Sequence, residues 1–388
     1  MRAEDFSPSA PGHLRVQEVT TAGRRIGLPA FFPNPLPAIV ELTPKTVVVI
    51  SEAAEALGRL DSAISRLPNP NLLTRASLRR EAQSTAALEG THVSLEELMM
   101  GEVDSDAKQP ARVLEVANYL TAVDLATKLL KSKPLVFSVI DQLQKVIVAG
   151  TPDDYYDAGQ IRARQVYIGG SVDDPDSIRF VPLPPGDELV GAITDWEKWT
   201  HTKHDIPTVA KVALAHYQFE AIHPYSNGNG RVGRLIVVLQ LMTSGVLTHP
   251  VLTLSQWLEK NKEQYRDLLL RVSQTGDFES WINFFSRGLR ASAQADLDRV
   301  DGLLALQKRH IDVVKNSGDR TEARNIVSTL IAYPMVSVGL VAKQHGITIK
   351  TATAAIRKLE SLGLITEITG KSYARKWVAQ DVLKFLNS

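Results

Sequence analysis

The stretch AIHPYSNGNGRVGR, residues 221–234, decides how the rest of the chain is read. A helical period runs from Pro207 to His223, and Pro224 interrupts it. Gly228, Asn229 and Gly230 then lead straight into a second helix that begins near Arg231. Glycines let backbone N–H groups come close to a ligand and take positive φ. A helix start adds unpaired N–H donors and about half a positive charge. Together these features make a nest suited to phosphate. Arg231 and Arg234 lie three apart, so both can face one ligand and clamp its oxygens bidentately. His223, beside the nest, can take a proton near neutral pH. A base, a phosphate cradle and an arginine pair point to phosphoryl or nucleotidyl transfer.

Plainer readings compete for the same residues. Asn-Gly-Asn-Gly also serves as an ordinary helix-to-helix loop, with His223 as a cap and the arginines in solvent. His216, Glu220 and His223 share a helical face, which is one way to build a zinc site. Neither reading uses the proline, the glycines and both arginines at once. The GxxxxGK[ST] phosphate loop is absent, so this is not a Walker-type site.

Working outward, helical periodicity covers 46–66, 74–90, 111–132, 135–148, 186–200, 207–222, 231–245, 255–275 and 277–313. Asn69, Pro70 and Asn71 mark a turn between the first two, and Pro207 suits a first helical turn. Residues 102–110 read as a polar loop. Residues 1–45 are rich in proline, with FFPNPLPAIV as their most apolar piece, and read as an extended arm on a folded body. The helical pattern breaks at 160–184, QIRARQVYIGGSVDDPDSIRFVPLP. Gln165, Val166, Tyr167 and Ile168 read as a short strand, Gly169 to Ser177 as a turn, and Ile178 to Val181 as a second strand, a β-hairpin. Asp173, Asp174 and Asp176 lack the distal glutamate of a calcium loop and read as a solvated turn.

Residues 321–388 carry three helical pieces, at 323–332, 338–345 and 350–363. LITEITGKSYARKWVA follows, alternating as two strands around a Gly-Lys turn. Three helices and a two-stranded wing make the winged-helix pattern. Nine basic residues stand against four acidic ones here, a local net charge of +5. On such a module Lys350, Thr351, Thr353, Arg357 and Lys358 of the third helix, with Lys371, Arg375 and Lys376 of the wing, are the candidate contacts to duplex DNA.

Composition bounds the whole. The 388 residues suit two or three domains, and an apolar share of 44% allows a sizeable core. Lys and Arg number 44 against 43 Asp and Glu, so net charge gives no global pull toward nucleic acid or membrane. There are no cysteines. That excludes disulfides, thiolate zinc sites and a cysteine nucleophile, and fits a reducing cytoplasm. No apolar run approaches the ~20 residues of a membrane span, so no membrane partner is expected.

The motif His-Pro-Tyr-Ser-Asn-Gly-Asn-Gly-Arg-Val-Gly-Arg, 223–234, resembles the Fic family signature HPFx(D/E)GNGRxxR. The hairpin before it looks like the family's flap, which aligns a target peptide by strand addition. Residues 257–285 resemble the family's segment after the motif, and the FFPNPLP arm resembles the N-terminal region of many members. Residues 84–90, STAALEG, are similar to the inhibitory-helix motif (S/T)xxxE(G/N), carried here by Thr85, Glu89 and Gly90. The resemblance implies an all-α fold: a helical core with a β-hairpin flap, followed here by the winged helix. It implies ATP as cosubstrate, with Mg²⁺ or Mn²⁺, and transfer of AMP to a Ser, Thr or Tyr hydroxyl of a target protein. His223 would be the base. Gly228, Asn229, Gly230, Arg231, Val232, Gly233 and Arg234 would hold the phosphates. Glu89 would pair with Arg234, keep it from the γ-phosphate and inhibit.

One position departs from the signature. Asn227 stands where the family has an acid that holds the metal, and an amide carbonyl is a weaker ligand for magnesium. Slower transfer, another metal or lost activity follow as options. Removal of AMP, transfer of another phosphate-bearing group, and a DNA-binding regulator that only senses nucleotide therefore stay open beside the transferase. The expected organisation is an arm and helices over 1–105, with the inhibitory helix at about 74–90, a catalytic core over 106–290, a linker helix over 291–320 and a winged helix over 321–388. A homodimer is left open.

Overall fold

The computed structural model describes residues 2–21, 24–67, 69–103, 109–318, 321–371 and 373–387. The expected boundary at 105/106 lies outside them. The fold is mostly helical with two small antiparallel sheets.

The first sheet corrects the reading of an extended arm. β1 (Gly12–Thr21) and β2 (Arg24–Pro33) pair antiparallel along their whole length. Prolines hid them, because Pro29 and Pro33 argue against a strand. In a two-stranded sheet both strands are edges, where a missing N–H is tolerated. β2 buries Leu28, Ala30, Phe31 and Phe32 against the helices.

α1 (Pro44–Ser65) starts at Thr43, whose hydroxyl caps the Thr46 N–H at 3.4 Å. It buries Ile50, Ala53, Leu57, Leu60 and Ile64 at three- and four-residue spacing. α2 (Pro70–Leu88) begins four residues earlier than expected, because Pro70 takes its first turn rather than the preceding loop. α3 (Leu95–Val103) was not foreseen. Ser94 and Glu97 form its capping box, with bonds of 3.1 and 3.2 Å. α4 (Ala111–Leu129) and α5 (Phe137–Val148) pack together. After the 160–184 segment come α6 (Asp187–His201), α7 (Thr208–Ile222) and α8 (Asn229–Thr243).

α7 is the centre of the molecule. It is apolar on nearly every face and touches α1, α6, α8 and β2. Two tryptophans seal it: Trp196 donates to the Ala215 carbonyl at 2.8 Å and Trp281 to that of Ala213 at 2.7 Å. The single helix expected at 255–275 is two, α9 (Leu254–Lys260) and α10 (Lys262–Thr275), broken at Asn261. α11 (Phe278–Asn316) then runs 39 residues unbroken, so the boundary expected at 290/291 falls inside it.

Beyond α11 lie α12 (Ala323–Ile326), β3 (Met335–Ser337), α13 (Val338–His345), α14 (Ile349–Ser361), β4 (Thr366–Glu367), β5 (Lys376–Val378) and α15 (Gln380–Asn387). The sheet order is β3-β5-β4, three strands instead of two, and α15 was not foreseen. The 323–332 helix is only one α turn continued by a 3-10 turn, Val327–Thr329. This region sits on the second half of α11. Gly302 leaves room for the Phe385 ring, and His310 meets Asp381 at 2.7 Å. No helix among the described residues is long and apolar enough to cross a membrane.

Candidate active site

Residues 223–228 turn the chain from the C-terminus of α7 into the N-terminus of α8. His223 caps α7 in the left-handed conformation, φ 52° and ψ 62°, and is half-buried. Gly228 opens α8 with φ 77°, where a side chain would be strained. The loop between them is tied at almost every residue. Asn229 accepts from the Tyr225 N–H at 2.9 Å and donates to its carbonyl at 2.7 Å. The Tyr225 hydroxyl donates to Asp141 at 2.8 Å, and Ser226 donates to Asp157 at 2.5 Å. Gln144 donates to the Asn227 carbonyl at 3.0 Å. Asn229 is therefore spent on the loop's own shape rather than turned toward a ligand. The Asn227 side chain takes part in none of these ties.

The two arginines diverge. Arg234 is buried and donates through Nε to the Thr85 hydroxyl at 2.7 Å, and through Nη2 to the Thr85 carbonyl at 3.0 Å and to Glu89 at 2.6 Å. Arg231, expected to face the same ligand, turns to Glu115 at 2.8 Å and Asp153 at 2.5 Å. Glu115 on α4 also accepts from Thr91 at 2.8 Å. Val232 is buried, and Gly233 faces α7, where a Cβ would stand 2.5 Å from a Glu220 oxygen. Those two motif positions serve helix packing.

Glu89 follows the last residue of α2. Gly90 turns at φ 97°, a left-handed stop. The Glu89 carboxylate rests on Gly230, where any Cβ would lie 2.2 Å from its Oε1. A carboxylate thus sits against the first turn of α8, the position favoured for an anion. Burial would push this carboxyl up, but the Arg234 charge and hydrogen bond hold it below its ordinary value. Burial and the Arg162 guanidinium pull His223 down to about 4, so its ring is neutral at physiological pH. Its Nδ1 lies 3.3 Å from the Glu220 carbonyl, which leaves Nε2 as the acceptor.

A pocket opens between these groups, lined by Glu89, Ile168, Phe180, His223, Arg234 and Tyr265 among others. Its outer wall is the 160–184 segment, and here the expected hairpin needs correction. It has no paired strands: Ile168 bridges Phe180 with bonds of 2.9 and 3.1 Å, and a second bridge joins Ser171 to Asp174. The reason lies at Pro182, which would pair next with Val166 and has no N–H to give, while Val181 faces the other way and accepts from the Phe31 N–H of β2 at 2.9 Å. The Gln165 side chain donates to the Pro182 carbonyl at 2.8 Å, in the place the Val166 N–H would have taken.

Sequence reasoning missed the loop's supports: Gln144, Asp153, Arg162, Glu115, and Glu220, whose carboxyl burial pushes up to about 7. Each is a single polar residue in an otherwise ordinary stretch, and only the fold brings it here. The zinc arrangement does not form. His216 spends both ring nitrogens, on the Gly233 carbonyl at 3.2 Å and the Tyr265 hydroxyl at 2.9 Å. Among the described residues no group of three His, Cys, Asp or Glu is placed to hold a metal. With Asn227 as the only motif side chain left to offer an oxygen, the donor set does not fit a resident divalent ion.

The candidate DNA contacts are mixed. Lys350, Arg357, Lys371 and Arg375 are exposed, and Thr351, Thr353 and Lys358 are half-buried. Thr351 is held by the cap residue Thr348 at 2.8 Å and Thr353 donates to the Ile349 carbonyl at 2.7 Å. Lys376 must be withdrawn: it is buried, with Nζ 3.0 Å from the Met100 sulfur, because β5 is the middle strand of its sheet and packs toward α3.

The chain matches the Fic/DOC family N-terminal model over residues 47–128 and the Fic/DOC family model over 134–241. It is 26% identical over 245 residues to protein adenylyltransferase fic-1 of Caenorhabditis elegans, covering 61% of this chain and 43% of that protein. It is 33% identical over 135 residues to protein adenylyltransferase Fic of Drosophila yakuba, covering 34% of this chain and 24% of that protein. It thus spans less than half the length of these curated relatives. Its fold is similar to that of a Fic family protein from Desulfovibrio desulfuricans G20, with TM-score 0.56 at 19% identity, covering 89% of this chain and 98% of that one. Residues 134–508 of Fic-1 from C. elegans share the fold at TM-score 0.51 and 20% identity, over 67% of this chain and 75% of theirs.

Proposed function

The chain belongs to the Fic/DOC family, and from that premise we propose that it is an autoinhibited protein adenylyltransferase that moves AMP from ATP to a Ser, Thr or Tyr hydroxyl of another protein. The observation that carries the proposal is the Glu89 carboxylate, seated on Gly230 and paired with Arg234 beside a neutral His223. A tethered anion there marks the position a phosphate would take, and it competes for the same arginine.

The chemistry follows from the groups present. The target hydroxyl oxygen attacks the α-phosphorus of ATP. The new O–P bond forms as the bond from that phosphorus to the bridging oxygen breaks, and pyrophosphate leaves. The hydroxyl proton passes to Nε2 of His223. The first-turn N–H groups of α8 stabilise the charge that builds on the phosphates. Arg234 joins them once Glu89 withdraws. Arg231, held by Glu115 and Asp153, stiffens the first turn of α8 until a ligand recruits it.

The target is proposed to lie along the 160–184 segment. Val166 and Tyr167 have no strand partner there, so an extended peptide can pair beside them.

The test is the full chain carrying Glu89→Gly, incubated with ATP labelled at either the α or the γ phosphate. Label on protein from the α position only is the expected result. Label from γ only, or from neither, overturns the proposal. Release of AMP from a pre-modified protein without ATP would favour the reverse reaction at the same site.

For residues 321–387 we propose a winged helix that takes duplex DNA through Lys350, Thr351, Thr353, Arg357 and Lys358 on α14 and Lys371 and Arg375 beyond it. Four of these side chains, Lys350, Arg357, Lys371 and Arg375, are exposed cations, which supports it. A gel shift of the full chain on short duplex DNA should appear at low salt and fall steeply as salt rises. No shift at low salt would favour a protein partner or a dimer contact instead.

A further inference from the structure

His223 holds a left-handed conformation that is strained for a residue with a Cβ, so something must fix it. The fixing group is Arg162, 61 residues away and 2% exposed. Its Nε donates to the His223 carbonyl at 2.8 Å. Its Nη2 donates to the Leu183 carbonyl at 2.6 Å and the Ile222 carbonyl at 3.4 Å. Its Nη1 donates to the Arg164 carbonyl at 3.1 Å. Its own backbone N–H donates to the Pro224 carbonyl at 2.9 Å. Among the described residues no carboxylate pairs with it; the charge is met by carbonyl dipoles alone.

Two of those carbonyls, Ile222 and His223, end α7, and two others, Arg164 and Leu183, belong to the two sides of the segment over the pocket. One guanidinium therefore holds the imidazole and the wall where a target would lie in a single frame. Lysine could keep the charge but cannot reach four carbonyls in fixed directions.

We propose that Arg162 is a positioning residue for His223, registering the proton acceptor against the segment that receives the target. This rests on the transferase reading for its kinetic consequence, but the registration itself is a property of the resting protein. Loss of the fork lets the His223 turn relax and the base drift from the hydroxyl, so turnover falls while nucleotide binding stays. The positive charge facing His223 also disfavours a second positive charge on the imidazole. Glu89 faces His223 with the opposite sign, and Glu220 contributes its carbonyl.

The experiment uses the full chain as it is and with Glu89→Gly, each combined with Arg162→Lys and Arg162→Met. Histidine-selective NMR without nucleotide follows the His223 titration, assigned by His223→Ala. The Met variant should titrate higher than the parent, and the Lys variant should stay closer to it. In the Glu89→Gly background, kcat should fall about 10²-fold in both variants, the scale of an angstrom-level misplacement. The nucleotide Kd should stay within about twofold, since Arg162 lies behind the base and not at the phosphate nest. An unchanged titration with unchanged kcat overturns the proposal. A drop in kcat fully rescued by lysine also overturns it, because charge alone would then suffice. Should the Met variant melt at low temperature, the Lys variant decides by itself. If the parent transfers nothing, the transferase reading falls, and the titration still tests the registration.

Discussion

The loop from His223 to Asn229 and the contact of Glu89 with Arg234 lie against each other, yet they are built in opposite ways. From His223 to Asn229 the loop is held by Arg162, Asp141, Asp157, Gln144 and its own Asn229. Glu89 reaches Arg234 through one carboxylate at 2.6 Å, its side chain 39% exposed, from a residue just past the end of a helix. An over-determined loop is pre-organised and keeps its shape through a reaction cycle. A contact held at one point can open without disturbing what surrounds it. The difference teaches that, on the proposed reading, regulation would reside in the Glu89 contact as a latch, and the loop would not need to be assembled on activation.

The comparison can be broken most forcefully at His223. His223→Ala should lower transfer by about 10²–10⁴-fold, the range for a positioned base, with nucleotide affinity and melting temperature nearly unchanged. A variant that transfers at the parental rate would show that the loop is scaffold only.

Glu89→Gly strikes the other side. Transfer, read as self-labelling, should rise by about tenfold or more, equivalent to about 1.4 kcal/mol or more released from the latch. Gly at this position leaves Thr85 still bonded to Arg234, so folding should survive. Equal rates with and without the carboxylate would mean that Glu89 does not hold the site closed. The latch also has a predicted pH sense. The folded-state pKa of Glu89 is depressed, so its contribution is present above the unfolded carboxylate pKa and is lost only as pH falls through the lower, folded value. The latch should stay shut across neutral pH, and a transfer profile from pH 6 to 8 should show no latch-dependent step.

Asn227 gives the smallest effect, and sharpens the comparison because it is the loop side chain outside the ties. Asn227→Asp in the Glu89→Gly background should raise Mg²⁺-dependent transfer by a few-fold, by adding a full charge where the amide offers only a dipole. Identical transfer-against-Mg²⁺ curves for the two proteins would show that position 227 does not touch the metal.

The parts of this molecule legible in the sequence are those whose signal is local. Long runs with apolar residues at helical spacing and few breakers placed α1, α4, α7 and α11 within a few residues, and the glycines and arginines of 228–234 marked the turn into α8. What could not be read is what depends on distant partners. β1 and β2 were hidden because proline is unfavourable in most strands and harmless at an edge. The 160–184 segment alternates like a hairpin, but Pro182 has no N–H to continue the pairing and the Gln165 side chain occupies its carbonyl. Arg162 and Arg231 look alike in sequence. One gathers carbonyls and the other two carboxylates, a distinction set by chain brought in from elsewhere. Lys376 carries a charge in a basic stretch and is buried because β5 became the central strand.

The unbroken α11 has a further consequence. At 39 residues it spans about 58 Å, with Trp281 near one end against α7 and Gly302 and His310 carrying the C-terminal region near the other. A helix is a screw: each residue advances about 1.5 Å and turns about 100°. The angular setting of the C-terminal region relative to the pocket is therefore written in residue count. One residue inserted between Leu289 and Val300 would swing that region about a quarter-turn around the axis and pull it off α2, where Arg79 and Arg80 donate to the Ala332 and Leu386 carbonyls, while four would return it nearly to phase, one pitch farther out.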